Sequence, residues 1–343
     1  MPPDNASEPL RVVILNDTSQ RYHHGCSRVM RLLVDGLVRH GMTVTARSPA
    51  RHEWQNDAGF LDHMKDASLV VINGEGTLHH GRPAGADLLT VTAHPAAKNC
   101  AIAVVNALYQ DNPDDWGKHL VQCDLLSARD AKSAAEMQRV CGEVPVRVVA
   151  DLSLTDGAQV FDGPRNGILF GDSVKWNVRR AMALASMRIG ADAFLPIKTL
   201  GSPFWRFPLA RRLLYWAYNG VFGFRTPKFL MSKSEDAYLR DISKTAMHVT
   251  GRFHSVCLSI VTGTPFMAVG SNSWKIQALL EEVGLDPDRI ISLPDLSQID
   301  RETLNRPFNQ TELQNIEQFL AHAKSDAEAL FADLATLAAR RTK

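Results

Sequence analysis

Short apolar runs rich in Val and Ile recur along this 343-residue chain, and each breaks off at a glycine or a polar residue. Between them lie stretches whose apolar residues repeat at helical spacing. This alternation leaves few folds open. Strands that are apolar on both faces belong in a parallel sheet, and helices joined by short links cover that sheet from both sides. The first series is RVVILN (11–16), TVTAR (43–47), SLVVIN (68–73), NCAIAVVNA (99–107), CDLLSAR (123–129) and VRVVAD (146–151). Helical patterns fall between these runs. From about Ser27 to His40 the apolar residues Val29, Leu32, Leu33, Leu37 and Val38 share a face, and shorter helices fit 60–67 and 130–141. GPRNGILFG (163–171) opens a second series, with strands at 191–197, 246–251, 264–270 and 289–293. Helices fit at about 175–188, 234–244, 254–262 and 274–283, and a last amphipathic helix at about Thr311 to Arg341.

The pattern predicts an α/β protein of two Rossmann-like, doubly wound domains that face each other across a cleft. The expected spans are 10–155 for an N-terminal, acceptor-side domain and 163–310 for a C-terminal, donor-side domain. A terminal helix over 311–343 is expected to pack back on the first domain. Ligands of such sheets bind beyond the carboxyl ends of the strands, so the strand-end residues carry the functional reading.

Composition excludes several classes. The formal charge is +1, from 38 Lys and Arg against 37 Asp and Glu, which gives no electrostatic footprint for nucleic acid. No apolar run approaches the ~20 residues of a membrane span. The N-terminus, MPPDNASEPL, has no basic stretch leading into an apolar core, so a signal peptide is not expected and a cytoplasmic location is. The five cysteines are widely spaced without a CxxC, which points to reduced thiols and not to disulfides or structural zinc.

The first strand ends in Asn16 and Asp17, followed by Thr18, Ser19, Tyr22, His23, His24, Gly25 and Cys26. A polar loop before a helix either binds an anion through backbone N–H groups or simply caps the helix. The third strand runs into Gly74, Glu75 and Gly76, with His79 and His80 behind. The glycines allow close ligand approach, and Glu75 between them is a candidate base or a plain turn residue. HExxH spacing is absent, so no metal is expected. Arg129 in SARD (127–130) ends another strand as a candidate anion-binding guanidinium, or as the partner of its neighbours. Asp151 stands at the expected hinge. In the second half GDSV (171–174) places Asp172 beyond a strand, with Lys175 behind it, and Lys198 lies just past FLPI. The stretch GRFHSVCLSIVTGTPFMAVGSNSWK (251–275) puts Arg252 and His254 at one helix start, and Ser271, Ser273 and Lys275 at the next. Cations and hydroxyls at two helix starts are suited to an anion.

VVINGEGTL, SARDAKSAAEM, ADLSL and, above all, GRFHSVCLSIVTGTPFMAVGSNSWKIQALLEEVGL resemble, in that order, segments of the polysaccharide pyruvyl transferase family. The resemblance covers about residues 10 to 285. It implies two Rossmann-type domains in the arrangement called GT-B, and transfer of a pyruvyl unit from phosphoenolpyruvate to two sugar hydroxyls as a cyclic ketal. It would put Arg252 and His254 on phosphoenolpyruvate, with Arg129 a weaker second candidate. The chain departs from the family in two places: NDTSQRYHHGC replaces an Asn-Gly-Asp loop, and Glu75 interrupts an all-glycine strand end. A glycosyltransferase using a nucleotide sugar, for example a CMP-linked acidic sugar, is therefore the alternative on the same scaffold. A non-catalytic ligand-binding protein is a third.

Ketal formation needs cations for the donor carboxylate and phosphate, an acid for the methylene carbon and a base for the sugar hydroxyl. The expected assignment is Glu75 as base and His254 as acid or phosphate contact. Asn16, Asp17, His24, Gly74, Gly76, Arg129, Asp172, Lys175, Ser271, Ser273, Lys275 and Arg252 are expected to bind substrate. No cofactor is expected beyond the co-substrate. The expected partner is a sugar or lipid-linked glycan acceptor. The aromatic, basic segment 201–230 is either an interfacial helix at the inner membrane face or a packed insertion.

Overall fold

The computed structural model describes residues 9–201, 203–223, 225–270 and 273–341. They form two compact units. Of the described residues, one comprises those within 9–20, 29–152 and 323–341, and the other those within 21–28 and 153–322.

The first unit is built on six parallel strands: β1 (Leu10–Asp17), β2 (Met42–Pro49), β3 (Leu69–Asn73), β4 (Ala101–Ala107), β5 (Leu125–Ala128) and β6 (Val146–Val148). Their order is β2-β1-β3-β4-β5-β6. Every residue of β3 and β4 is buried, which is why these strands read as unbroken apolar runs. Alternate residues serve opposite faces. Val13, Leu15, Val70, Ile72 and Val104 join one core with Trp54 and Phe60. Val12, Ile14, Leu69, Val71 and Ala103 join another with Val29, Leu33 and Leu37 of the helix His24–Arg39. Leu330, Phe331 and Leu334, from the last part of the helix Gln310–Arg341, complete that second core. The chain runs from β1 outward to β2 and then back to β3 on the other side. The strand order therefore reverses between β1 and β3, where an open α/β sheet splays and leaves a crevice at its carboxyl end.

The second unit repeats the plan with β7 (Ile168–Ser173), β8 (Ala193–Phe194), β9 (Lys228–Phe229), β10 (Met247–Gly251), β11 (Phe266–Val269) and β12 (Ile290–Ile291). All pairs are parallel and the order is β12-β11-β10-β7-β8-β9, so the reversal falls between β7 and β10. Strands β6, β8 and β12 are shorter than their apolar runs. The run after β8 goes on to make one more ladder bond, Leu195 N–H to the Phe170 carbonyl, and then meets Pro196, which has no N–H to donate.

The division differs from the expected spans in two places. Residues 21–28 cluster with the second unit: the His24 N–H donates to the Ile197 carbonyl and the Thr199 N–H to the Tyr22 carbonyl. Arg28, buried near the start of the helix His24–Arg39, donates to the carbonyls of Ser153, Asp156 and Gly157 and pairs with Glu235 at 2.8 Å. The terminal helix is shared between the units at Ala323.

Candidate active site

At the reversal of the first unit, the ends of β1 and β3 are tied into one buried polar network. Asn16, held at φ 64°, donates through Nδ2 to the carbonyls of Asn73 (2.6 Å) and Glu75 (3.3 Å). The Glu75 N–H donates to Asn73 Oδ1, and Thr18 Oγ1 donates to Glu75 Oε2 at 2.6 Å. Glu75 is only 3% exposed, so its carboxylate is oriented by Thr18 and is not a loose turn side chain. Gly74 is required here: a Cβ would lie 2.6 Å from the Ala107 Cα, where the end of β4 passes. Gly76 makes the turn at φ 64°.

Two expected ligands of this unit are engaged in the fold. Asp17 accepts the Ser19 N–H at 2.8 Å through Oδ1 and pairs with Arg47 at 3.5 Å through Oδ2. Arg129 forms a buried ion pair with Asp151 at 3.1 Å, which favours the structural reading of that arginine. His79 is buried beside His80, and His80 contacts Asp111 at 3.2 Å, so the pair braces a loop.

At the reversal of the second unit, Asp172 is the penultimate residue of β7 and β10 runs into Arg252, the residue that caps the helix Phe253–Val261. Asp172 is fully buried. Its Oδ2 accepts from Arg252 Nε at 2.9 Å and Nη2 at 2.6 Å, and from the Tyr218 hydroxyl at 2.7 Å. Its Oδ1 accepts the Ile197 N–H at 3.2 Å. The carboxylate therefore fixes the arginine by one edge and leaves Nη1 outside the fork. Asp172, expected to touch substrate, is instead saturated by protein donors.

Around Arg252 gather His254, His23, Lys198 and Lys275. His23 and His254 rings stand edge to face, 5.4 Å apart, and residue 23 bridges to residue 198 through the backbone. Lys275 Nζ lies 6.0 Å from the Phe253 ring, at the first residue of the helix Lys275–Val283. Gly25 lets the segment approach, because a Cβ there would sit 2.3 Å from the His254 Cβ. His24, assigned by sequence to the first domain, stands in this unit with its ring 5.3 Å from Tyr238. Lys175 caps the helix Trp176–Ile189 and is exposed, and Ser273 is half-buried. Ser271 lies outside the described residues.

The field here is cationic. Burial, then His254, Arg252 and Lys198, push the His23 pKa well below its usual value. Burial and then Arg252 lower that of Lys198. Burial opposes the charge of Arg252, but Asp172 and Tyr218 outweigh it and raise its pKa. His24 is lowered by burial to about 4. His23, Cys26 and His254 offer ligand atoms within 4.8 Å of one another, a trio that the sequence spacing did not reveal. Arg252 and Lys198 beside it disfavour a divalent cation and favour an anion. The Cys26 N–H also donates to His23 Nδ1 at 3.3 Å, which engages one of the two ring nitrogens. A surface depression lined by Arg165, Ile168 and Ala246 lies at the amino ends of β7 and β10, opposite this site.

Sequence reasoning noted His23 and Lys198 without giving them a role, and it missed Tyr218. The signal for Lys198 was its place just past a strand. Tyr218 comes from a helix, Pro208–Asn219, that packs across from β8, and nothing local marks it.

Two doubly wound sheets, each with polar residues at its reversal, define a GT-B-like, two-domain α/β fold. Solved structures show the same fold. A Thermobaculum terrenum O-GlcNAc transferase is 12% identical with a TM-score of 0.53, over 97% of this chain and 67% of that one. A Listeria monocytogenes protein described as a putative UDP-N-acetylglucosamine 2-epimerase is 10% identical with a TM-score of 0.53, over 93% and 94%. The kitacinnamycin glycosyltransferase is 8% identical with a TM-score of 0.52, over 98% and 100%. At these identities the likeness is one of fold. A family model of polysaccharide pyruvyl transferases matches residues 68–273, more than half of the chain, and the chain belongs to that family. It is a transferase of polysaccharide biosynthesis. No curated protein matches it.

Proposed function

We propose that the protein binds phosphoenolpyruvate at the carboxyl ends of β7 and β10 and transfers its pyruvyl group to a sugar as a ketal. The observation that carries this reading is the Arg252 fork. Asp172, itself held by the Tyr218 hydroxyl, engages the Nε and Nη2 edge of the guanidinium, and the charges of His254, Arg252 and Lys198 act together on His23. A donor bearing both a carboxylate and a phosphate suits such a field, and a planar guanidinium suits either group. The match to the family spans this segment.

In the reaction a sugar hydroxyl adds to C2 of the donor while the methylene carbon takes a proton. Phosphate then leaves, and a second hydroxyl closes the ketal. The cations offset the charge of the departing phosphate. His254, next to Arg252, is the proposed proton donor. Glu75, oriented by Thr18, is the proposed base that takes the hydroxyl proton. Asp172 and Tyr218 act through Arg252 as positioning residues.

The test is phosphate release from phosphoenolpyruvate in the presence of an oligosaccharide acceptor panel, with mass spectrometry of the product. Acceptor-dependent release and a pyruvylated sugar are expected. Release of a nucleotide from CMP-, UDP- or GDP-linked sugars, with phosphoenolpyruvate inert, would instead establish the glycosyltransferase.

A further inference from the structure

We infer that the segment from Leu200 to Lys228, in the second unit, is a docking surface for an anionic lipid bilayer. This rests on surface chemistry and not on the donor proposed above.

The helix Pro208–Asn219 is apolar on two sides. Its inner side places Tyr215 in the core of the unit, fully buried. A helix with one buried face ordinarily shows water a polar one. Here Leu209 and Leu213, one turn apart on the outer side, are 76% and 55% exposed. Phe204 and Phe207 just before the helix are 68% and 63% exposed, and Phe222 just after it is 78% exposed. Large apolar side chains gathered in one exposed segment mark an interaction surface.

Charge selects the occupant. In a chain whose acids and bases nearly balance, residues 200–228 contain five Lys or Arg and no Asp or Glu. A protein partner would ordinarily be met by mixed charge. Exposed cations such as Arg225 and Lys228, in a segment with no acid of its own and beside exposed Phe and Leu, fit the acyl boundary and phosphate headgroups of an anionic membrane. No helix among the described residues is long and apolar enough to cross a membrane, so the contact would be with the surface. The same helix carries Tyr218, whose hydroxyl donates to Asp172. One element thus presents the apolar stripe outward and supports Arg252 inward.

The experiment is co-sedimentation of the full chain with vesicles of phosphatidylcholine alone and of phosphatidylcholine with phosphatidylglycerol. Two double variants change exposed positions: Leu209→Glu with Leu213→Glu, and Arg225→Glu with Lys228→Glu. The wild type is expected to pellet with the anionic vesicles, less so as salt rises, and to stay in solution with the neutral ones. Each double variant is expected to partition roughly tenfold or more weakly, with its melting temperature near the wild-type value. The second variant keeps the test open should the first unfold. Absence of wild-type binding to anionic vesicles, or pelleting of both variants equal to that of the wild type, would overturn the proposal. So would a wild-type dimer in sedimentation that Leu209→Glu with Leu213→Glu dissociates, with no vesicle binding by either protein.

Discussion

Replacing Asp172 with Asn removes one charge and little volume from the centre of the second unit. Asp172 accepts two bonds from Arg252, one from Tyr218 and one from the Ile197 backbone, and it is fully buried. The Arg252 side chain is itself 11% exposed. Taking one partner from a buried ion pair costs roughly 3–5 kcal/mol, because the other charge is left uncompensated. Asn keeps one acceptor oxygen, so a loss of about 2–4 kcal/mol is expected. For a unit of this size each kcal/mol lowers Tm by roughly 2–4 °C, which predicts a fall of about 4–16 °C by scanning fluorimetry. Tyr218→Phe deletes one bond to a charged acceptor and should cost about 1.5–3 kcal/mol. The double variant should lose less than the sum, since both changes act on one carboxylate. Arg252 is then without its counter-charge, so phosphate or phosphoenolpyruvate should raise the Tm of Asp172→Asn more than that of the wild type. A melting point within about 2 °C of wild type would refute the fork as a structural device.

Three further outcomes are expected. Gly25→Ala would press a Cβ against the His254 Cβ, where neither atom can rotate away, and should cost at least about 1–3 kcal/mol in Tm measurements; an unchanged Tm would contradict the close approach. Burial holds His24 at about 4 and His248 at about 3, whereas both titrate near 6.5 when unfolded. Their contribution is therefore complete above about pH 6.5 and is lost as the pH falls toward 4 and then 3, roughly 3–5 kcal/mol each at full extent. Denaturant midpoints should drop between pH 7 and pH 4.5, and a flat profile would contradict neutral burial. Glu75→Gln should lower turnover by roughly a hundredfold or more with donor affinity kept; turnover near the wild-type rate would remove Glu75 from the chemistry.

The interior strands were legible because burial on both faces leaves a continuous apolar run, as in SLVVIN and NCAIAVVNA. Strand β9 was not: it is Lys228–Phe229, two residues with the lysine exposed, and no local pattern sets it apart from the loop around it. The site was legible where chemistry sits at a strand end. Glu75, Asp172, Arg252 and His254 were all named on that ground. What the strand-end rule does not supply is the partner. Sequence left Asp17 open between anion binding and capping, and Arg129 between anion binding and pairing with its neighbours; the fold supplies the partners Arg47 and Asp151. His254 is brought to His23 and Cys26, and Tyr218 to Asp172, from far along the chain, so local spacing did not show either grouping. The grouping of residues 21–28 with the second unit was hidden for a different reason. The helix His24–Arg39 is continuous through the boundary, so no break in pattern marks it.

Whether Arg252 holds a phosphoenolpyruvate donor decides the proposed function. Isothermal titration of the full chain tests it most directly, with phosphoenolpyruvate, CMP, UDP and GDP as titrants against wild type and Arg252→Ala. Phosphoenolpyruvate should bind the wild type, and the variant should bind it at least about thirtyfold more weakly, the loss expected when one side of a buried charged contact is truncated. Binding of a nucleotide with none of phosphoenolpyruvate, or equal phosphoenolpyruvate affinity in the two proteins, would contradict the account.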